Sequence, residues 1–328
     1  MLKKIRDWLA YHACCVGFVI LPLIPRPLVY PLSRILGRLA WWLDGPNRAV
    51  ALENLAYAYG DTLPASQRRR IARESLANFA LVLLDSFWCR NLRCENIGRY
   101  VEFDPAGLSR YDACVARGRG VILIGMHHGN WEWMSLGIGF MKRPVHIAVQ
   151  PLRLLRVGEL FNRIRLRAGH TLILRDGAAV RLFKAVKRGG TLGLLTDLNV
   201  HVNDGAIPGR FFGKPIHSNP LPATFARRTG AAILVMTTWY DPALGKYRAT
   251  FGPEIATEVP GDSETEKIAR ITQDSMDAFE SIIRANPERW LWSYKRWKFR
   301  PTPALSSYPS YSQHSALLEK SGAEDTKT

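Results

Sequence analysis

An α/β fold with a mostly parallel central sheet flanked by helices, preceded by an N-terminal helical region suited to a membrane surface, is what this 328-residue chain predicts. Three observations carry that expectation. From residue 118 onward, short β-branched apolar segments alternate with segments of helical period. Two polar positions, His127 and Asp197, follow such apolar segments directly, where the carboxyl ends of parallel strands place their active groups. The first 43 residues are apolar and interrupted by proline.

Lys3, Lys4 and Arg6 precede an apolar run from Trp8 to Ile24, broken by His12 and Pro22. At about 17 residues the run falls short of the roughly 20 that span a bilayer, and no small-residue cleavage site follows it, so a removable signal peptide is not expected. Pro25, Arg26, Pro27 and Pro31 lead into an amphipathic stretch, Leu32 to Leu43, that carries Trp41 and Trp42. Rings and cations at such a boundary suit a helix lying in the membrane interface; a buried helical hairpin is the plainer reading. Basic residues lie on both sides, so no orientation follows.

Residues 44 to 104 read as helical, with breaks at Gly45-Pro46 and Asp61 to Pro64 and helices over Arg48 to Tyr59 and Ala65 to Trp88. Arg68, Arg69, Arg70 and Arg73 read as a solvated face. Leu76, Phe79, Leu83 and Leu84 read as core or as a groove for a hydrocarbon chain. Strands are predicted at Val121 to Ile124, Val145 to Gln150, Thr171 to Leu174, Thr191 to Leu195, Ile233 to Tyr240 and Tyr247 to Phe251, with helices near 131–140, 154–168, 178–188 and 220–229. A last helix, Thr265 to Asn286, precedes the aromatic and basic segment Trp290 to Arg300. The expected organisation is therefore 1–43 as membrane-anchoring or interfacial helices, 44–303 as the main domain, and 304–328 as a disordered tail.

A net charge of +17 with 47% hydrophobic residues describes a folded, strongly basic protein. Its partner should be anionic: nucleic acid, a phospholipid surface, a phosphorylated glycolipid or an acidic carrier protein. Five cysteines, at 14, 15, 89, 94 and 114, have no regular spacing and no C-x2-C pair, which argues against a disulfide framework or zinc and fits a reducing compartment. The chain has no G-x-S-x-G elbow, no G-x-x-x-x-G-K-[ST] loop and no G-x-G-x-x-G after a strand. His146, His170, His201 and His217 lack metal-ligand spacing, so neither metal nor cofactor is expected. Interleaved Trp290, Trp292, Tyr294 and Trp297 with Lys295, Arg296, Lys298 and Arg300 suit either single-stranded nucleic acid or a bilayer interface. The apolar N-terminus favours the bilayer, and no RNA-binding or helix-turn-helix signature supports nucleic acid.

Chemistry concentrates in residues 118–139, GRGVILIGMHHGNWEWMSLGIG, which reads as strand, reactive turn and helix, with Asn130 as the helix cap. Either histidine can pair with Glu132. His128 shares a helical face with it, while His127 reaches it only from a turn ahead of the helix. An imidazole held by a carboxylate has one nitrogen fixed as donor and the other free as base toward a hydroxyl. A structural pair capping the helix is the bland alternative. Asp197, in LLTDLN, could cap a helix or orient a basic group. Arg163, Arg165, Arg167 and Arg175 lie between strands near the same edge and Arg210 precedes Phe211 and Phe212; guanidinium groups there suit oxyanions.

The H-x4-E arrangement of His127 and Glu132 resembles the H-x4-D/E motif of the glycerolipid acyltransferase superfamily. The wider chain, over roughly residues 45 to 300, resembles its lipid A branch, the lauroyl and myristoyl acyltransferases that add secondary acyl chains to a Kdo-bearing precursor. Besides the dyad, the ordered matches are Asp197 in LLTDLN, PGRFFG at 208–213, PATFARRTGA at 222–231 and WLWSYKRWKFRP at 290–301. The resemblance implies His127 and Glu132 as the catalytic dyad, with Asn130, Arg163, Arg167, Asp197 and Arg210 toward substrate. It further implies direct acyl transfer from an acyl carrier protein thioester to an anionic glycolipid or phospholipid acceptor, at the cytoplasmic face of a bacterial inner membrane. Another lipid acceptor, such as a lysophospholipid or glycolipid mannoside, and a non-catalytic basic membrane or nucleic-acid binder are the alternatives.

Overall fold

The computed structural model describes residues 2–149, 155–174, 177–301 and 308–314. Prolines and short polar caps punctuate its N-terminal third. Helix α1 (Leu2–Ile20) is followed by α2 (Arg26–Leu43), α3 (Gly45–Tyr59) and α4 (Ala65–Trp88). The Asp44 side chain accepts from the Asn47 backbone N–H, so the α2–α3 corner satisfies a donor the helix start leaves unpaired. Gly37 lets α2 and α4 approach closely: a Cβ there would sit 2.3 Å from the Ala77 Cα. One face of this hairpin is left bare. Val16, Val19, Ile20, Leu23, Leu28, Ile35, Leu39, Trp42 and Leu43 are exposed, the last two at 76% and 81%. Among the described residues no helix is long and apolar enough to cross a membrane.

The α/β part begins with β1 (Val101–Phe103), α5 (Pro105–Ala116) and β2 (Val121–Gly125). It continues through α6 (Trp131–Phe140), β3 (His146–Val149), α7 (Leu155–Arg167), β4 (Thr171–Leu174), α8 (Ala178–Lys187) and β5 (Thr191–Leu195). A hairpin of β6 (Ile207–Phe211) and β7 (Lys214–Ser218) precedes α9 (Leu221–Thr229), β8 (Ala232–Asp241), β9 (Lys246–Ile255) and α10 (Glu264–Ala285). Seven strands form one sheet in the order β1-β9-β8-β2-β5-β3-β4. Neighbours are parallel except β8 and β9, which pair antiparallel. The expected α/β class holds, and all six predicted strands are present; Gln150, the end assigned to one of them, lies outside the described residues.

Strand β2 is buried along its whole length. Ile122 and Ile124 enter one core and Val121 and Leu123 the other, as the two-residue period of a strand dictates. Burial of each contributes about 1.5–3 kcal/mol, which makes β2 a rigid platform for the turn that follows it.

The C-terminal segment differs from expectation. Trp290, Trp292, Trp297 and Arg296 are buried, in the core against Phe211, Phe279 and Tyr57, so they present no surface to a bilayer or nucleic acid. Their mass of ring area, with few partners able to cover it elsewhere, is better satisfied inside. Residues 308–314, within the stretch expected to be a disordered tail, pack back onto the domain. Ser310 bonds Glu53, Tyr311 bonds Asn54, and β11 (Gln313–His314) pairs with β10 (Phe299–Arg300).

Candidate active site

His127 lies on the turn between β2 and α6, and Asp197 lies just past β5, the neighbouring strand. Parallel pairing of the two strands brings their carboxyl ends together, and the Thr196 N–H donates to the Gly125 carbonyl at 3.0 Å. Asp197 Oδ1 then lies 2.8 Å from His127 Nδ1, while its Oδ2 accepts from the His127 backbone N–H at 2.9 Å and from Trp290 Nε1 at 2.9 Å. Nδ1–H donates in the tautomer this carboxylate selects, which leaves Nε2 as the acceptor.

Burial works to raise the Asp197 pKa, but the adjacent His127, its hydrogen bonds and the Arg296 cation outweigh it and hold the carboxyl down to about 2. Asp197 is thus a fully buried, ionised anchor.

The turn is zippered in place. The Gly129 N–H donates to the Arg289 carbonyl and the Leu291 N–H to the His127 carbonyl, each at 2.9 Å. Gly129 has φ 62°, and a Cβ there would come within 1.6 Å of the Thr238 carbonyl oxygen, so only glycine fits. Asn130 caps α6, its Oδ1 accepting from the Trp133 N–H. Its amide donates to Tyr247 Oη and Asp85, and Asp85 in turn accepts both guanidinium arms of Arg26. His128 is buried, with Nδ1 3.2 Å from Thr237 Oγ1. Burial, reinforced by the Arg289 cation, pushes its pKa down to about 3, so it is neutral and structural.

These positions revise the expected roles. The carboxylate on His127 is Asp197, where Glu132 was expected. Glu132 is the second residue of α6, and both its oxygens are taken by Arg165, at 2.5 and 3.1 Å. Arg165 is raised although burial works against it, because the Glu132 charge prevails. Asn130 is fully buried and caps a helix, and it lines none of the cavities given below. Arg167 donates to the carbonyls of Cys89, Arg90 and Leu92, Arg163 is exposed, and Arg210 sits exposed on the β6–β7 hairpin, bonded to Gly213. None of these three lines a cavity given below. Arg175 lies outside the described residues. All five cysteines are free, and burial pushes the Cys89 thiol up, away from nucleophilic use.

Beside the turn is a cavity of about 970 Å³ with a mostly apolar wall that includes Ile138, Ile147, Leu182, Leu194 and Met236, and Glu132, Ser135 and Arg165 as its polar corner. Trp131 separates it from His127: the indole lines the cavity, and its ring makes an edge contact with the imidazole at 4.6 Å. His127 itself opens into a narrow neck shared with Trp131, Asn78 and Arg289. Trp290 and Arg165 were legible only as members of basic or aromatic runs, Arg26 only as a cation ahead of an interfacial helix, and Asp85 carried no signal. No group of three or more potential metal ligands occurs among the described residues.

A mostly parallel sheet with an imidazole–carboxylate pair at its carboxyl edge, near a large apolar cavity, is an arrangement suited to an enzyme site. The chain belongs to the bacterial lipid A biosynthesis acyltransferase family, whose model matches residues 1–299. It is 22% identical over 307 residues to the lipid A biosynthesis palmitoleoyltransferase of Escherichia coli (strain K12), covering 92% of this chain and 95% of that protein. The lauroyltransferase of the same strain is 22% identical over 304 residues, with the same coverage. A phosphatidylinositol mannoside acyltransferase of Mycobacterium tuberculosis (strain CDC 1551 / Oshkosh) is 22% identical over 249 residues, 75% of each chain. The protein is therefore an acyltransferase of the lipid A biosynthesis type.

Proposed function

We propose that this acyltransferase works at a membrane surface, moving a fatty acyl chain from an acyl carrier protein thioester to a hydroxyl of a lipid A precursor in one direct step. The observation that carries the reading is the bond His127 Nδ1–H donates to Asp197, which leaves Nε2 as the acceptor, with only Trp131 between the imidazole and the apolar cavity. His127 Nε2 takes the proton of the acceptor hydroxyl as its oxygen attacks the thioester carbonyl. The C–O bond forms, the tetrahedral oxyanion collapses with loss of the C–S bond, and the imidazolium returns its proton to the departing thiolate. No covalent enzyme intermediate is required.

The acyl chain occupies the large cavity, with its carbonyl at the polar corner. There Arg165, held by Glu132, supplies a cation to the developing oxyanion. Glu132 is then a positioning residue that acts through Arg165. Chain-length selection comes from the cavity wall, where each methylene is worth about 1–3 kcal/mol. The +17 charge suits both an acidic carrier protein and an anionic leaflet. The bare apolar face of α1 and α2 supports docking on the cytoplasmic face of the bacterial inner membrane.

Assay of His127→Ala and Asp197→Asn with acyl carrier protein thioester and lipid A precursor tests this; wild-type transfer by His127→Ala would end it. Flotation with anionic vesicles tests the docking: retention in high salt is expected, and complete release would make the attachment electrostatic only. The name of the mycobacterial relative supports a second acceptor, a glycolipid mannoside, for the same chemistry. Lipid analysis of a deletion strain separates the two by which species loses an acyl chain.

A further inference from the structure

The sheet that floors the apolar cavity has a gap in it. Strand β5 lies inside the sheet, between β2 and β3, and the register aligns Leu234, Leu123, Gly193, Ile147 and Leu172 in one row across neighbouring strands. Every member of that row except Gly193 carries a large apolar side chain. Leu123 and Ile147 line the cavity on either side of it. Gly193 is itself part of the lining, partly exposed in a strand where its neighbours Leu192 and Leu194 are buried.

Neither backbone nor packing asks for glycine at this position. Its φ lies outside the left-handed region, and a glycine inside a strand costs conformational entropy while giving nothing to pack. A Cβ built there would meet Val145 Cγ2 at 3.6 Å and Ile147 Cγ1 at 3.9 Å, ordinary contact distances. On α6, by contrast, a Cβ at Gly139 would come within 2.6 Å of the Ala168 carbonyl oxygen. What the absent side chain at 193 leaves is room, and that room opens into the cavity.

The part of the cavity above Gly193 begins at the polar corner. Trp131, Glu132, Ser135 and Ile138 line it from one face of α6, which returns from the carboxyl end of β2 to the amino end of β3. Seven helical residues from Trp131 to Ile138 carry this wall about 10 Å down the sheet, away from the catalytic turn. Val145, just ahead of β3, lines the foot. Thr191, the next residue of β5 on the face of Gly193, is buried and bonded to Tyr111 Oη, so it closes the floor beyond. Leu182 and Leu194, which belong to the opposite core, line another part of the cavity. Only the part under α6 starts at Glu132 and Arg165.

We propose that Gly193 sets the length of the acyl chain this enzyme transfers. With the carbonyl at the Arg165 corner, the tail descends between α6 and the sheet, and its methyl end rests in the gap over Gly193, against Ile138 and Val145. The assignment rests on the acyl-transfer reading above and adds which residue measures the donor.

The test uses the full chain in mixed micelles, with lipid A precursor as acceptor and saturated acyl carrier protein thioesters from octanoyl to hexadecanoyl, each kcat/KM measured separately. Relative to octanoyl, Gly193→Ala is expected to lower the value for the longest chain the parent transfers well by about tenfold, and Gly193→Val by about a hundredfold, as one and then two displaced methylenes dictate. Val145→Ala, which deepens the foot of the chamber, is expected to move the optimum to a longer chain, and it serves where Gly193→Val does not fold. A length profile that keeps the parent's shape in both Gly193 variants, whatever happens to absolute rates, would overturn the assignment. A parent protein that transfers from none of these donors would instead sink the reaction. Free fatty acids then read the chamber alone: they are expected to raise the parent's thermal midpoint, and Gly193→Val to lose that rise for hexadecanoic acid before octanoic acid. Equal rises in the two proteins refute a chain end at Gly193.

Discussion

At the scale of single residues, His127 has two acids within plausible reach, and chain distance misleads about which one holds it. Glu132 is five positions away, visible in any reading of the motif, whereas Asp197 is separated by 70 positions and arrives only through the pairing of β2 with β5. That crossover cannot be read from local spacing, though the placement of both residues after apolar segments hinted at a shared edge. The arginines of α7 show a similar limit. Residues two apart on a helix point about 200° apart, so when Arg165 faces Glu132, Arg163 and Arg167 must face elsewhere. Asp197→Asn should lower kcat by about 10²–10⁴-fold, because the imidazole loses both its tautomer preference and its counter-charge. Glu132→Gln should lower kcat through Arg165 and leave the His127–Asp197 pair in place. Steady-state kcat of both variants against the parent protein checks the two expectations.

At the scale of elements, the alternation of strands and helices was legible because strands β2 to β5 are short, apolar in sequence and bounded by glycine or polar turns. The β6–β7 hairpin was not, because Pro208, Gly209 and Pro215 interrupt any regular period along it. The docking of the N-terminal hairpin onto the rest of the chain was equally invisible, since its most buried polar contact is a pair far apart in sequence. Arg26, at the start of α2, grips Asp85 on α4, and Asp85 holds both Tyr247 and the Asn130 cap behind the catalytic turn. The guanidinium also lies 4.5 Å from the Trp133 ring. Removing one partner of such a pair leaves a buried charge uncompensated, at a cost of about 3–5 kcal/mol. Arg26→Ala should therefore lower the thermal midpoint by several degrees, while Arg38→Ala, on the exposed side of the same helix, should leave it within experimental error. Equal midpoints for the two variants would mean that the clamp does not hold the hairpin.

At the scale of the whole molecule, burial sets how the protein responds to acid, and burial of individual histidines was not legible from their scattered positions. His128 is held neutral with a pKa pushed down to about 3, and burial also lowers His146, His170 and His217. Unfolding returns each to an ordinary value near 6.5, so below that pH the unfolded chain binds more protons than the folded one. Stability from these groups is complete above about pH 6.5 and is lost as pH falls toward the folded values. Asp197 acts in the same direction but only in stronger acid, where its stabilisation disappears as pH drops from the ordinary carboxylate range toward about 2. A chain already at +17 gains further self-repulsion from every proton it takes up. His128 alone should contribute a slope of about 1.4 kcal/mol per pH unit between pH 6 and 4, and the other three should steepen it. Urea unfolding across that range measures the slope, and His128→Gln, which keeps a side-chain partner for Thr237 but cannot titrate, should flatten it by about the same amount. A His128→Gln slope equal to that of the parent protein would show that His128 takes up no proton on unfolding, and hence that the buried, neutral imidazole behind the catalytic turn is not part of the acid response.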